Sequence, residues 1–424
     1  MATADLKLQQ TLSVGGHDIG YPHGHLGHLT AEEEETLEQF KKLLQEKGLF
    51  TPSVEGQNQA SHDDQTLLRF LRARKWVPAD AYQQFKDTEA WRKANQLEVL
   101  YDTIDIDAYE ETRRLYPQWT GRRDRRGIPV YLFQIRHLDS KTVGDYDKKT
   151  EKTNVSKAQS DGSTPQRLLR LFALYENLTR FAQPLCTEMN DRDNAETPIT
   201  LSTNIVDVSQ VSLRMFWNLK SHMQAASTLA TAHYPETLDR IFVIGAPYFF
   251  STVWSWIKRW FDPLTVSKIF ILSPGEVKSE LEKFIEPRNI PKAYGGELDF
   301  EFYDRPNVDP NIIEAISWEN GHTTFPEGPV RWRPIDGGKR LECVALGYKN
   351  GVQREVRVGT IPVAFPKGKT AAPENAAAPA AEHAAVNGTT PDKVADAVAD
   401  LTLSEKAIET AATPAEQKPA PVQA

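Results

Sequence analysis

The sequence predicts an α/β protein with a helical N-terminal unit, a lobe built on a mixed sheet, and a disordered C-terminal tail. Three observations predict it. Amphipathic helical periodicity runs through residues 30–100 without an intervening strand. Between 128 and 272, short β-branched runs alternate with helical patterns, the sign of at least partly parallel strands. From Pro366 onward alanine, proline and acidic residues displace any apolar period.

In chain order, residues 1–29 are polar and dotted with glycine and histidine, and read as a flexible N-terminus. His17, His23, His25 and His28 lack the spacing of a metal site. Thr30 and Glu33 form a capping box, Glu32–Glu35 suit the positive end of a helix dipole, and Leu37, Phe40 and Leu44 give an inward stripe ended by Gly48. After a loop at 57–61, Asp63 or Asp64 caps the helix TLLRFLRARKW. Its leucines face inward and Arg69, Arg72, Arg74 and Lys75 are available outside, as a solvated face or an anion site. Pro78 opens another helix carrying Phe85, Thr88 and Trp91.

The turn Arg122-Arg123-Asp124-Arg125-Arg126-Gly127 leads into the strand IPVYLFQI; its arginines are either solvated or a membrane-surface patch. Residues 139–163 are polar and weakly patterned, and read as a loop. A helix follows through Leu168, Leu171, Tyr175 and Leu178, then a strand ending at Asp207, then a helix through Met215, Leu219, Met223, Ala226 and Ala230. The runs 241–244 and 269–272 are strands. Between them Phe250, Val253, Trp254, Ile257 and Phe261 make one apolar helical face, either packed on the sheet or serving as a movable cover that touches membranes. Residues 301–365 read as a small β-rich appendage with a hairpin about Lys349-Asn350-Gly351. The tail, 366–424, holds a transient helix at 394–408. The divisions are thus 1–29, 30–100, 101–300, 301–365 and 366–424.

Bulk properties narrow the function. A net charge of −8 argues against nucleic-acid binding. Two cysteines, Cys186 and Cys343, fit a reduced cytoplasmic setting. The first residues lack the pattern of a signal peptide, and the longest uncharged run, 241–257, is broken by Gly245, Ala246 and Pro247, so no membrane span is expected. Asp207 and His233 have no G-x-S-x-G nucleophile to serve, and no phosphate-binding glycine loop is present. Cys186-x5-Arg192 has phosphatase spacing, but Glu188 and Asp191 within it would repel a phosphate. No enzyme, metal or cofactor is expected.

Together LLRFLRARKW, the YPQ of 116–118, the D-x-x-G-x-P-V-Y of 124–131, HYPE, FDPLTVSKIFIL and IPKAYGG resemble the CRAL-TRIO lipid-binding family, over about residues 30–300. The likeness is to its branch of fungal phosphatidylinositol/phosphatidylcholine transfer proteins. The resemblance implies a lipid-binding lobe whose mixed sheet floors an apolar pocket, closed by a helical gate. Gate and membrane-contact residues would be Phe249, Phe250, Val253, Trp254, Ile257, Lys258, Arg259 and Phe261. It implies a phosphoinositide head-group site at Arg74, Lys75, Glu236, Thr265 and Lys268. The chemistry suits it: cations and a hydroxyl for a phosphodiester, a carboxylate for inositol hydroxyls. The family's second head-group region matches less fully, at Tyr131, Tyr175 and Ser202. Thr120 and Asn204 replace a tyrosine and a threonine, which weakens a cation–π wall for choline and admits another lipid such as a sterol.

The expected ligands and partners are therefore bound phospholipid, namely phosphatidylinositol and a second lipid, a transient membrane surface, and phosphoinositide kinases. The expected place is the cytoplasm, peripheral at Golgi, endosomal or other intracellular membranes. A rival reading is a sensor that holds another hydrophobic ligand and presents it without bulk transfer.

Overall fold

Thr30 caps the first helix as the sequence predicts. Its hydroxyl accepts from the Glu33 amide at 3.2 Å, and the Glu33 carboxylate accepts from the Thr30 amide at 2.9 Å. This helix, α1 (Ala31–Glu46), buries Leu37, Phe40 and Leu44 against Leu67, Leu68 and Leu71 of α2 (Asp64–Ala73) and Phe85 of α3 (Pro78–Ala94). Asp63 is the cap of α2, accepting from the Thr66 amide at 2.9 Å. Two shorter helices, α4 (Leu97–Thr103) and α5 (Ile106–Arg113), lead into the lobe.

The computed structural model describes residues 13–14, 17–18, 20–54, 59–138, 140–152, 155–260 and 263–364. The expected helix at 394–408 and the rest of the tail lie outside them.

The lobe is built on a five-stranded sheet in sequence order: β1 (Gln118–Arg123), β2 (Pro129–Gln134), β3 (Ser202–Asp207), β4 (Leu238–Ile244) and β5 (Ile269–Ile271). β1 and β2 are antiparallel, and the remaining pairings are parallel, so the mixed sheet is as predicted. Alternation divides the strand residues between two cores. Val130, Leu132, Ile205, Phe242 and Ile244 pack with Leu281, Phe284, Ile290 and Leu298 on one face. On the other, Phe133, Val206, Ile241, Val243 and Ile269 meet Leu168, Leu171 and Phe172 of α7 (Gln166–Asn177) and Leu219 of α9 (Leu213–His233).

Four expectations are corrected. Residues 140–152, read as part of a loop, form α6 (Ser140–Lys152). Its buried stripe is carried by Tyr146 and Thr150 rather than by leucines, and Gly144 interrupts it, so the helical period is faint. Residues 20–29, read as part of a flexible N-terminus, are packed: Tyr21 and His25 are buried, and the Gly24 carbonyl accepts from Arg72 at 2.8 Å. The arginine turn at 122–126 is neither wholly solvated nor a surface patch. Arg126 is buried between Asp124 and Asp239 at 2.6 and 2.5 Å, and Arg123 is buried against Asp191 and Asp309 at 2.6 and 2.8 Å. Arg69 also turns inward.

The β-rich segment adds a second, antiparallel sheet. Its order is β6 (Ser317–Trp318), β11 (Val356–Pro362), β8 (Arg340–Ala345), β7 (Val330–Ile335), with a small separate hairpin β9 (Tyr348–Lys349) and β10 (Val352–Gln353) at the predicted turn. It is more than an appendage. Val330, Trp332, Cys343 and Val358 share one core with Trp119, Phe181 and Leu185 of the lobe, where α8 (Gln183–Glu188) follows a π-turn at Leu178–Ala182. No helix among the described residues is long and apolar enough to cross a membrane.

Candidate functional site

The aromatic stretch after β4 forms the helix α10 (Phe250–Ile257), continues as a 3-10 turn at Lys258–Trp260, and resumes as α11 (Pro263–Ser267) before β5. Val253 is buried, while Phe249, Phe250 and Trp254 are half-buried and Lys258 and Arg259 exposed. Phe261 falls outside the described residues, as does the side chain of Ile257. Between α10 and the lobe lies a small apolar pocket of about 40 Å³, walled by Phe216, Leu219 and Met223 of α9 and by Phe249, Phe250 and Val253. That is room for about three waters. The cover is shut.

One ion pair stands at the root of this segment. Lys268, buried just before β5, donates to the Glu236 carboxylate and to the Leu238 carbonyl, both at 3.0 Å. Glu236 sits at φ +53 directly after Pro235, a left-handed conformation uncommon for a residue with a Cβ. Thr265 is half-buried one helical turn away, its carbonyl accepting from the Lys268 amide at 3.1 Å. Glu236, Thr265 and Lys268 are thus brought together at the amino ends of β4 and β5.

Arg74 and Lys75 are exposed in the turn that ends α2. The arginines of that helix that face the HYPE segment are others. Arg69 is 7% exposed and donates through Nε to the Pro235 carbonyl at 2.9 Å, and burial pushes its guanidinium down to about 10. Arg72 is half-buried within electrostatic reach of Glu236. Helical spacing carried the signal, since positions 69 and 72 are three apart and flank the buried Leu68 and Leu71. His25 lies close by, and burial, reinforced by Arg72, holds its imidazole well below the ordinary range.

Of the five residues expected at the second head-group region, Tyr131, Ser202 and Asn204 lie along the sheet face beneath α7, and Tyr175 lies on α7 itself. Tyr131 and Asn204 are register partners on β2 and β3, and Ser202 lies two residues from Asn204 on the same face. Asn204 donates to the Ser202 hydroxyl at 3.0 Å, and that hydroxyl donates to the Thr237 carbonyl at 3.0 Å, beside Glu236. Tyr175 stacks obliquely on Tyr234 at 5.0 Å, and burial pushes its phenol up to about 12. Thr120 stands apart, with its buried hydroxyl donating to the Val130 carbonyl at 3.0 Å.

The phosphatase spacing has no chemistry behind it. Cys186 is fully buried, and desolvation pushes its thiol up to about 12, far from the thiolate a nucleophile needs. Arg192 donates to the carbonyls of Asn194, Ala195 and Thr197 at 2.8–3.0 Å and to the Tyr21 hydroxyl at 2.7 Å, rather than facing an anion cradle.

The sequence profile of the CRAL/TRIO domain matches residues 113–296, and that of the CRAL/TRIO N-terminal domain matches residues 36–87. The chain is similar to the SEC14 cytosolic factor of Eremothecium gossypii, 32% identical over 306 residues that cover 72% of this chain and 88% of that one. It is similar also to the Sec14 cytosolic factor of Schizosaccharomyces pombe, 32% identical over 276 residues, covering 65% and 86%. With the phosphatidylinositol/phosphatidylcholine transfer protein SFH9 of Arabidopsis thaliana it shares 30% identity over 295 residues, covering 67% of this chain and 46% of that one.

Proposed function

The chain belongs to the CRAL/TRIO family, and from that premise we propose that it is a non-enzymatic carrier that takes phosphatidylinositol from a membrane and exchanges it for a second lipid. The observation that carries this reading is the buried Lys268–Glu236 pair at the root of a shut apolar cover. The ammonium answers a phosphodiester and the carboxylate answers inositol hydroxyls, with the Thr265 hydroxyl as a further donor and Arg72 adding positive potential. Arg74 and Lys75 reach the head group if the turn after α2 swings in. The cover opens at a membrane surface, acyl chains enter between α9 and the sheet, and closure removes them from water. Burial of each methylene contributes roughly 0.8 kcal/mol, about what the bilayer offered, so exchange is near neutral and the cover sets its rate.

The second lipid is less like choline phospholipid. Asn204 spends its amide on Ser202, and Thr120 spends its hydroxyl on backbone, so two of the five positions present little to a quaternary ammonium. This favours a sterol or similar apolar ligand, and with it a second reading as a lipid sensor. The working place is the cytoplasm, with transient contact at Golgi or endosomal membranes, where phosphoinositide kinases would receive the product.

Mass spectrometry of lipids extracted from the purified chain tests both. Phosphatidylinositol with one other species supports the exchanger. One non-phosphoinositide ligand that phosphatidylinositol fails to displace would overturn it in favour of the sensor.

A further inference from the structure

α9 carries a wide apolar stripe that is buried along one edge and open along the other. Phe216 and Leu219 are buried beneath the cover, at 6% and 1% exposed. Along the adjoining edge, in its first two turns, Leu213 and Trp217 stand four residues apart and remain 42% and 45% exposed. A soluble helix normally buries its apolar stripe, and two large apolar side chains left open at its edge ask for an occupant.

The surroundings point to its chemistry. Lys220 sits 5.4 Å from the centre of the Trp217 ring, and Arg214 is exposed on the preceding turn. Trp217 meets Trp256 of α10 at 5.1 Å between ring centres, tilted by 38°. The 3-10 turn bearing the exposed Lys258 and Arg259 packs against α9 as well. In a chain with net charge −8, the only acids between Asp207 and Asp262 are Glu236 and Asp239, which belong to the opposite, amino ends of the strands. An aromatic edge set among cations, on a stretch of chain whose own carboxylates lie at the far ends of the strands, matches an anionic lipid leaflet, where tryptophan settles at head-group depth and lysine and arginine meet phosphate.

We infer that the first two turns of α9, with Leu213, Arg214, Trp217 and Lys220, form a fixed docking face for anionic membranes. It is continuous with the moving cover through the Trp217–Trp256 contact. The inference rests on the carrier reading for its purpose but not for its test. Docking through α9 holds the protein against the leaflet while α10 is free to leave the lobe.

The test is cosedimentation of the full chain with phosphatidylcholine vesicles, with and without phosphatidylserine and free of phosphatidylinositol. The wild type is expected to prefer the phosphatidylserine vesicles and to lose that preference at high salt. Arg214→Glu with Lys220→Glu should remove the preference, since each cation near an anionic surface is worth roughly fivefold in partitioning. Trp217→Ala should weaken binding at least several-fold and Trp217→Phe much less, with the phosphatidylinositol content of the purified variants unchanged. Equal partitioning of wild type, Trp217→Ala and the double charge variant would overturn the docking face and leave the carrier reading standing, and so would a wild type that ignores phosphatidylserine. Loss of bound phosphatidylinositol in these variants would also overturn it, by making α9 part of the pocket. A wild type that carries no phosphatidylinositol but partitions as expected would remove the carrier reading and retain the face.

Discussion

Replacing Lys268 by alanine deletes the cation proposed for the phosphodiester and leaves the Glu236 carboxylate, 14% exposed, without its partner. A hydrogen bond to a charged group is worth about 1.5–3 kcal/mol, so phosphatidylinositol transfer between vesicles should fall at least roughly tenfold. Transfer of the second lipid should be unchanged, and equal losses for both lipids would mean that the pair only holds the fold. Glu176 is a structural counterpart. It is 1% exposed and receives Arg92 at 2.6 Å, Arg180 at 2.5 Å and the Tyr234 hydroxyl at 2.5 Å, and the two arginines hold its carboxyl far below the usual range despite burial. Glu176→Ala leaves Arg92 and Arg180 to share the exposed Glu98 and should cost about 3 kcal/mol in urea unfolding. His233 gives a pH signature. Its ring stacks on Trp91 at 4.1 Å, and burial pushes it down to about 4. The unfolded chain takes up that proton first, so this contribution is complete above pH of about 6.5 and is lost as pH falls toward 4, on the order of 2 kcal/mol after solvent screening. His233→Gln should flatten that limb of the stability curve. At this scale the sequence showed residue types better than directions. That Glu236, Thr265 and Lys268 lie together was readable from HYPE and LTVSK, whereas the turn of Arg69 and Arg72 toward Pro235 and Glu236 was hidden among four cations whose directions depend on where the partner helix and strand happen to lie.

Gly245, between β4 and α10, makes the junction possible. It holds φ +69, and a Cβ there would stand 2.6 Å from the Ser209 Cβ and 2.9 Å from the Ser209 nitrogen. Gly245→Ala should therefore cost roughly 1–3 kcal/mol and slow lipid exchange while head-group affinity is kept. Calorimetry with a stopped-flow exchange assay would show it, and an unaltered exchange rate would remove Gly245 from the opening motion. The parallel strands were legible because β-branched runs have few alternatives, whereas β1, Gln118–Arg123, was not: its second half reads as a basic turn, and its sequence QWTGRR has no apolar alternation. The α6 helix was not, because tyrosine and threonine carried its buried side. α10 was legible as a helix and not as fixed or moving, since an apolar stripe looks alike whether its contacts are permanent or temporary.

Over the whole molecule, the second sheet is the part that local sequence described least well. Its strands were visible, but the core they share with Trp119, Phe181 and Leu185 is made by contacts remote in sequence. The Trp332 indole donates to the Phe181 carbonyl at 3.2 Å. A chain ended after Gly296 should expose those side chains and melt well below the full chain, or aggregate on expression; an equal melting temperature would make the sheet dispensable. The Glu176 cluster reaches just as far. Arg92 comes from α3 and Arg180 from the lobe, while Glu98 of α4 contacts both Arg180 and, at 3.5 Å, Arg331 of the second sheet. Tyr101 adds a bond to the Val330 carbonyl at 2.6 Å. The three units are consequently not interchangeable parts. A chimera that borrows α1 to α3 from a relative inherits whatever stands at position 92, and without a cation there Glu176 is left to Arg180 and Tyr234. Swaps between relatives will be tolerated at borders that keep positions 92, 98, 176, 180 and 331 from one parent.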